Sequence, residues 1–404
     1  MPWTRNMDTE LIGEPFIPQR TLLGPGPSNV NPRVLQAMLS PLLGYLDPDF
    51  LKLMDDVSAM LRQVFQTRNA LTFAVSGTGS AGMESGFCNL LEPGDVVVIA
   101  VNGFFGERMS DIARRQGADV YRVDSPWGQP IDTDAVRQEM KKHSAVKMLA
   151  AVHAETSTGV LQPLDQLSQI AKEYDSLLLL DAVTSLGGSP LNIDEIGVDF
   201  CFSATQKCLG APPGLSPVTA SEKAVAAMLN RTNPSRSWYL DLSLLFDYWA
   251  NNRRYHHTAP MSMVYGLREA LRMILEEGLE NRLDRHTRNA DALWAGLESI
   301  GLEFVVSREY RLNQLTSVYI PDGVVDTDVR RALLYDYGIE IGGGLGEIAC
   351  KVCRFGLMGE SSKDINILAL LSALEAVLPT HGYEVGRGVA VQAASTSFAN
   401  NRSN

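Results

Sequence analysis

Several features that mark particular protein classes are scarce in this chain. Five irregularly spaced cysteines in 404 residues do not make a disulfide framework and suit a reducing compartment, so a cytoplasmic protein is expected. The net charge of −12 argues against nucleic acid or an anionic membrane as a partner. No run approaches the ~20 apolar residues of a membrane span, and residues 1–20 lack a secretory signal. These absences leave a globular protein that acts on small molecules.

Apolar runs alternate with amphipathic stretches between residues 70 and 220. This alternation predicts an α/β fold, with a mainly parallel sheet that is covered on both faces. Ligand-binding groups in such a sheet collect at the carboxyl ends of the strands. The strands are expected at 71–75, 96–101, 148–152, 177–180 and 200–203.

The chain is long enough for two domains. A periodic helical stretch from Met261 to about Leu297 is expected to bridge them. Residues near the C-terminus are rich in Ser, Ala and Asn and are expected to be disordered. The predicted division is an N-terminal arm at 1–25, a large domain at 26–280, a smaller α+β domain at 281–382 and the disordered tail at 383–404.

A glycine-rich turn, SGTGSAG at 76–82, follows the first predicted strand. Its glycines allow a close approach to an anion, and the hydroxyls of Thr78 and Ser80 stand beside the N–H groups of a helix start. The pattern predicts a phosphate site. It also matches the G-x-G-x-x-G spacing of dinucleotide enzymes. However, the next strand ends at Asn102 and not at the acidic residue that would hold a ribose. The remaining alternative to a phosphate site is that these glycines serve only the tight packing of the strand-to-helix turn.

Two further residues indicate the chemistry. Asp181 ends an apolar run, which puts a carboxylate at the tip of a buried strand, where its charge needs a cation opposite. A protonated pyridine nitrogen is such a cation. Lys207 follows another short apolar strand among small residues, which would lower its pKa and favour an imine. Singly, the two residues are typical of a helix cap and a solvated loop lysine. Together with the phosphate site, they predict pyridoxal phosphate.

Seven further motifs accompany the phosphate turn and the Asp181 strand: LGPGPSN at 23–29, NGFFG at 102–106, HAETSTGV at 153–160, SATQK at 203–207, APPG at 211–214, YHHTAP at 255–260 and GGGLG at 342–346. Together these motifs resemble one known family over about residues 15–380, the class V, fold-type I aminotransferases, and within it the alanine–glyoxylate and serine–pyruvate type. The resemblance implies the fold of that family, a large pyridoxal-phosphate domain with a smaller C-terminal one.

The resemblance implies transamination between alanine or serine and a 2-oxo acid, glyoxylate or pyruvate, with ping-pong kinetics. Lys207 would carry the cofactor as a Schiff base and Asp181 would hold its ring nitrogen. It also implies a homodimer with shared active sites. Position by position, it assigns the cofactor phosphate to Thr78, Gly79, Ser80 and Gln206, with Tyr255 and Thr258 from the neighbouring subunit, the cofactor ring to Phe105 and Thr156, and the substrate to Gly26, Tyr45 and Arg354.

Two of these positions depart from the family pattern. Phe105 stands where tryptophan or histidine often stacks on the cofactor ring, and Tyr45 stands where bacterial relatives commonly have histidine. The planar fork of Arg354 suits a carboxylate. No second cation is evident near it in the sequence, so small neutral donors are expected ahead of aspartate or a phosphonate.

Other reactions of this family stay open as alternatives: serine–glyoxylate, 2-aminoethylphosphonate or pyridoxamine–pyruvate transamination, and cysteine desulfuration. A non-catalytic subunit that keeps the fold is an alternative of another class. Cys350 and Cys353 would lie on opposite faces of one strand, which favours structural thiols. His256 and His257 would also point apart in a strand and are expected at an interface. No metal site is predicted.

Overall fold

The computed structural model describes residues 14–250 and 252–401. Helices and strands alternate through the region where the sequence predicts them. The helices are α1 (Pro32–Met38), α2 (Pro48–Phe65), α3 (Gly79–Leu90), α4 (Phe104–Arg115), α5 (Thr133–Met140), α6 (Asp165–Glu173), α7 (Ile193–Ile196), α8 (Glu222–Leu229), α9 (Leu242–Trp249), α10 (Met261–Glu277), α11 (Leu279–Ser299), α12 (Asp326–Asp336), α13 (Asp364–Thr380) and α14 (Val389–Asn400). The strands are β1 (Thr21–Leu22), β2 (Leu71–Ser76), β3 (Val96–Val101), β4 (Asp119–Asp124), β5 (Met148–Val152), β6 (Ala154–Glu155), β7 (Val160–Leu161), β8 (Leu177–Asp181), β9 (Phe200–Phe202), β10 (Leu215–Ala220), β11 (Leu315–Tyr319), β12 (Ile339–Glu340), β13 (Gly342–Gly343) and β14 (Val352–Gly356).

Seven strands form the central sheet in the order β2-β10-β9-β8-β5-β3-β4. Strands β4, β3, β5, β8 and β9 run parallel, and β10 is antiparallel to both of its neighbours. The apolar run of β5 is buried along its whole length, as a strand with both faces covered requires. The α/β prediction is confirmed. The predicted bounds of β3 and β5 match the structure, and β8 extends one residue further, to Asp181.

A second apolar core lies in the C-terminal part of the chain. It surrounds an antiparallel sheet, β11-β14-β13, and includes Leu293, Leu333 and Phe355. Leu23, which follows β1, belongs to this second core, and β1 pairs in parallel with β12. The first core surrounds the central sheet. The domain boundaries near residues 25, 280 and 382 stay predictions.

The stretch predicted as one helix from Met261 consists of two helices. Gly278, with φ of 82°, ends α10, and α11 begins at the next residue. Glycine accommodates this left-handed conformation without a steric penalty. Among the residues described, no helix is both long and apolar enough to cross a lipid bilayer.

The prediction of a disordered tail is wrong where the chain forms α14. This helix buries Ala390 and Phe398 and packs against α11 and α13. The buried carboxylate of Glu375 accepts hydrogen bonds from the N–H groups of Gly388 and Ala390, at 2.6 Å each, and so caps the start of α14. Residues 402–404 of the predicted tail and 1–13 of the predicted arm lie outside the described residues.

Candidate active site

The predicted phosphate turn lies between β2 and α3. The side chain of Thr78 makes no capping hydrogen bond at the start of α3, and the first turn of that helix has no acidic residue. The first N–H groups of α3 therefore remain available to an anion, which the helix dipole also favours. A β-carbon at Gly79 would lie 3.0 Å from the side chains of Ala204 and Val183. Glycine thus lets this helix start pack closely against the ends of β8 and β9.

Asp181 ends β8 and is buried, with 3% of its surface exposed. Its Oδ1 accepts a hydrogen bond of 2.8 Å from the N–H of Val183. Burial raises the pKa of Asp181 to about 7, and the negative charge of Glu155 adds to that rise. A cation placed opposite this carboxylate would restore its ionised form.

Lys207 follows β9 and is also buried. Burial lowers the pKa of its amine to about 8, so a neutral, nucleophilic amine is populated near physiological pH. The amine donates a hydrogen bond to the carbonyl of Pro25. Gly26 has a φ of 107°, and a β-carbon there would overlap the Lys207 side chain. Backbone without a side chain therefore covers this lysine.

Arg354 reaches the site from β14 of the second core. Its Nε donates to the carbonyl of Gly343 at 2.6 Å, and its Nη1 donates to the carbonyl of Thr156 at 2.8 Å. Burial lowers the pKa of this guanidinium to about 10, so it stays charged at neutral pH. The two backbone contacts fix the guanidinium plane. Among the described residues Nη2 has no hydrogen-bond partner, so it can donate to a carboxylate.

Phe105 and Gln206 are two further residues that the resemblance assigns to the cofactor. Phe105 stands in the first turn of α4, with its ring 5.7 Å from that of Phe104. Gln206 immediately precedes Lys207, and its side-chain oxygen is buried without a hydrogen-bond partner among the described residues. An amide with an unused oxygen can turn to present its N–H₂ group to an acceptor such as phosphate.

Tyr45, Tyr255 and Thr258 form a separate group. The rings of the two tyrosines lie 4.5 Å apart, and the Tyr255 hydroxyl is 3.3 Å from the Thr258 hydroxyl. Both tyrosines are exposed, at 38% and 47%. His257 connects this group to the phosphate turn, because its Nε2 lies 3.1 Å from the Ser76 hydroxyl at the end of β2.

Three charged residues near the site were missed in the sequence analysis. Arg108 donates to the Ser80 hydroxyl at 3.1 Å and lies 5.0 Å from the Phe105 ring centre. Its position three residues after Phe105 on one helix was a usable signal. Arg330 lies behind Gly343 and pairs with Asp326, and no local pattern indicated it. Glu155 lies within the motif at 153–160, but the sequence predicted no role for it.

The structure corrects the expected placement of two residue pairs. Cys350 is exposed and precedes β14, whereas Cys353 is buried within it, so the two thiols do not share a strand. His256 and His257 lie in the loop between α9 and α10, where their Nδ1 atoms are 2.7 Å apart, so their rings do not point apart. Their predicted place at an interface stays a prediction.

The donor set fits pyridoxal phosphate. Free helix N–H groups can hold its phosphate, a buried carboxylate can hold its ring nitrogen, and a lysine with a lowered pKa can meet its aldehyde. The buried side-chain oxygen of Gln206 has no hydrogen-bond partner among the described residues, so this amide can turn and donate its N–H₂ group to a phosphate. Arg354 is a cation that could meet a substrate carboxylate.

Comparison with known proteins points to the same family. The aminotransferase class-V family model matches residues 22–363. The (S)-ureidoglycine–glyoxylate transaminase of Bacillus subtilis (strain 168) is 39% identical over 401 residues, which cover 95% of this chain and 96% of that protein. The alanine–glyoxylate aminotransferase of Oryctolagus cuniculus is 40% identical, over 89% of this chain and 93% of that protein. The crystal structure of an alanine–glyoxylate aminotransferase from Nostoc sp. superposes with a TM-score of 0.90 and 50% identity, over 93% of this chain and 100% of that one.

Proposed function

Because the chain belongs to the class V aminotransferase family, we propose that it transfers the amino group of a small neutral amino acid, alanine or serine, to glyoxylate. It is a pyridoxal-phosphate-dependent aminotransferase. The observation that carries the proposal is that Arg354 and Lys207 lie against the same short segment: a β-carbon at Gly342 would meet both the Pro25 ring and, at 3.6 Å, the Arg354 side chain, and the Lys207 amine donates a hydrogen bond to the Pro25 carbonyl. One amino acid can thus present its carboxylate to the first and its α-carbon to the second.

When bound, the cofactor supplies an aldehyde that links covalently to amino groups and a ring that withdraws electrons. Asp181 would hold a proton on the ring nitrogen, since a pyridinium opposite its buried carboxylate satisfies both charges. Arg354 would fix the donor carboxylate and so orient the bond between the α-carbon and its proton. The Nζ of Lys207 would take that proton, because its lowered pKa makes it a base near neutral pH. Thr78, Gly79, Ser80 and Gln206 would hold the phosphate.

The electrostatics near Arg354 support a neutral donor side chain. A second guanidinium near Arg354, that of Arg330, makes two hydrogen bonds of 2.9 and 2.7 Å to the buried carboxylate of Asp326. Its charge is therefore already compensated. A donor with a second carboxylate would have to compete with Asp326 for this cation. Alanine and serine bring no such charge.

A panel assay tests the donor and acceptor. It compares kcat/KM for alanine, serine, aspartate and 2-aminoethylphosphonate, each with glyoxylate and with pyruvate. We expect alanine or serine with glyoxylate to rank first. A clear preference for aspartate or the phosphonate would overturn the proposal.

(S)-Ureidoglycine is a second candidate donor. The Bacillus subtilis relative named for it aligns over 95% of this chain at 39% identity, close to the 40% of the rabbit alanine–glyoxylate relative. Its ureido side chain is uncharged, so the argument from Arg330 and Asp326 applies to it equally. The same panel, extended to this donor, distinguishes the two. A kcat/KM above that for alanine would favour ureidoglycine.

Replacing Lys207 by alanine tests the assignment of the base. We expect Lys207→Ala to lose nearly all turnover and the absorption band at the edge of the visible range, while its unfolding transition stays cooperative. Lys223→Ala is the matched control, because Lys223 is a surface residue paired with Asp175. Wild-type transamination in the Lys207 variant would contradict the assignment.

The dimer and the cytoplasmic location belong to the same proposal. An exposed apolar surface supports the proposal that a second copy of this chain binds there. It consists of Leu39, Leu42, Tyr45, Leu46, Trp238, Tyr239 and Tyr255. Stacking of Trp238 and Tyr239 on the two histidines before Thr258 makes this surface continuous with the Tyr255 loop.

The five free cysteines support the proposed cytoplasmic location, because free thiols are typical of a reducing compartment.

A further inference from the structure

A buried carboxylate without a role in the proposed reaction lies at the start of α4. Glu155 ends β6, and none of its surface is exposed. Its Oε2 accepts a hydrogen bond of 3.1 Å from the N–H of Phe105. Its Oε1 accepts from the N–H and the hydroxyl of Ser157, at 3.0 and 2.6 Å. The Ser157 hydroxyl in turn accepts from the N–H of Phe104 at 3.0 Å.

The local sequence explains why this cap must come from a distant segment. The residue at the N-cap position of α4 is Gly103, which has no side chain to satisfy the first N–H groups of the helix. A β-carbon there would lie 2.5 Å from both the Glu155 and the Ser157 side chains. Glycine at position 103 therefore leaves room for Glu155 and Ser157, which accept the hydrogen bonds that an N-cap side chain would otherwise accept. We call Glu155 and Ser157 the α4 clamp.

The clamp fits an ionised carboxylate. Burial raises the pKa of Glu155, while the donors from Ser157, Phe105 and Gly106 oppose that rise. A carboxylate accepts all of these hydrogen bonds, whereas a carboxylic acid or an amide would set a donor against a donor. A glutamate-to-glutamine change therefore keeps the shape of the side chain and breaks part of the clamp.

We propose that Glu155 is a positioning residue, which holds the ring of Phe105 against the cofactor by fixing the first turn of α4. This inference rests on the proposed assignment of Phe105 to the cofactor ring. The hydrogen bond from Glu155 is made by the backbone N–H of that residue, so the carboxylate fixes the point from which the ring projects. The guanidinium of Arg108, on the same helix, lies over the Phe105 ring at 5.0 Å from its centre and makes a second contact with it.

Hydrogen exchange in the cofactor-free chain tests the clamp itself. We expect Glu155→Gln to speed amide exchange in the peptide spanning 103–107 by about tenfold or more, since a hydrogen bond to a charged group is lost. Glu375→Gln is the matched control, because Glu375 is also a buried glutamate that caps a helix, α14, through backbone N–H groups. It should speed exchange at 388–391 and leave 103–107 unchanged. Wild-type exchange at 103–107 in the Glu155 variant would overturn the proposal.

Cofactor release from the holoenzyme tests whether the clamp acts through the ring. We expect Glu155→Gln and Phe105→Leu each to speed release, seen as loss of the cofactor absorption band, and Glu375→Gln to leave release unchanged. The double variant should release no faster than Phe105→Leu alone, because both changes remove one contact. Additive effects would overturn the positioning role.

Two further outcomes are informative. If Phe105→Leu releases the cofactor at the wild-type rate, Phe105 does not contact the cofactor ring, and the positioning role of Glu155 is then wrong as well. Amide exchange at 103–107 still shows in that case whether the α4 clamp exists. If Glu155→Gln does not fold, Ser157→Ala replaces it, since this change removes the acceptor of the Phe104 N–H. Unchanged exchange and release in that variant would overturn the proposal as well.

Discussion

Asp181 and Lys207 are both buried, and burial shifts the pKa of each toward the neutral form. In the cofactor-free chain, Asp181 has a pKa of about 7 against 3.8 in the unfolded state. Between these two values the folded chain binds more protons than the unfolded chain, so its stability falls as pH rises. With the proposed role of Asp181, a bound pyridinium would remove this cost, because it would pair with the ionised carboxylate.

Asp181→Asn reveals this linkage. We expect the free energy of unfolding of the cofactor-free wild type, minus that of the variant, to fall by about 1.4 kcal/mol for each pH unit from about pH 4 to pH 7. Urea unfolding at several pH values measures it. A difference that does not change with pH would contradict the shifted pKa. The holoenzyme variant should also lose turnover, since an amide cannot hold a pyridinium.

Arg354→Lys tests whether the planar, forked shape of the guanidinium is needed in addition to its positive charge. Lysine keeps a cation but cannot hold the carbonyls of Gly343 and Thr156 and meet a carboxylate at once. We expect kcat/KM for the amino donor to fall by about 10–100-fold, as the loss of a charge-assisted hydrogen bond or two implies. The cofactor absorption band should persist. A wild-type KM for the donor would show that Arg354 does not bind the carboxylate.

Among the structural elements, those set by local sequence were predictable. Strands β3 and β5 are uniform apolar runs bounded by polar residues, and their ends were located correctly. The phosphate turn and the strand that ends in Asp181 were equally local. Elements that depend on distant residues were missed. The cap of α14 comes from Glu375, and Arg330 reaches the site only because α12 packs behind β13. Neither relation leaves a periodic signal in the sequence.

Helix α14 was expected to be disordered, and a truncated chain tests how much this helix stabilises the fold. Its backbone touches α11, because the carbonyl of Ala390 lies 3.1 Å from where a β-carbon of Gly296 would be. A chain that stops at Arg387 would lose this contact and expose Leu371, which packs beside it. We expect its free energy of unfolding to fall by at least about 2 kcal/mol, from the buried apolar surface lost. A chain that lacks only 402–404 is the control. Equal urea midpoints would contradict a stabilising role for α14.

For the whole molecule, mixed dimers test whether the active sites are shared. Lys207→Ala and Tyr255→Ala chains would each be impaired alone. If Tyr255 serves the neighbouring subunit, refolding the two chains together gives mixed dimers with one complete site. We expect about a quarter of the wild-type activity per chain, since half of randomly paired dimers are mixed and each has one of two sites intact. No recovery, with mixed dimers shown by mass spectrometry, would place Tyr255 in the site of its own chain.

The separation of the site into two groups has an evolutionary consequence. Lys207, Asp181 and Arg354 are buried and bonded to backbone, and with the roles proposed for them a single replacement there would disrupt the reaction. Tyr45 is exposed, and the hydrogen bond that Tyr248 makes to it uses the backbone carbonyl, not the phenol. Its side chain can change without disturbing that contact. If Tyr45 contacts the donor, as the family resemblance predicts, replacements at this exposed position would exchange the donor while the buried residues stay unchanged. The two relatives of 39% and 40% identity carry different donors and the same acceptor in their names.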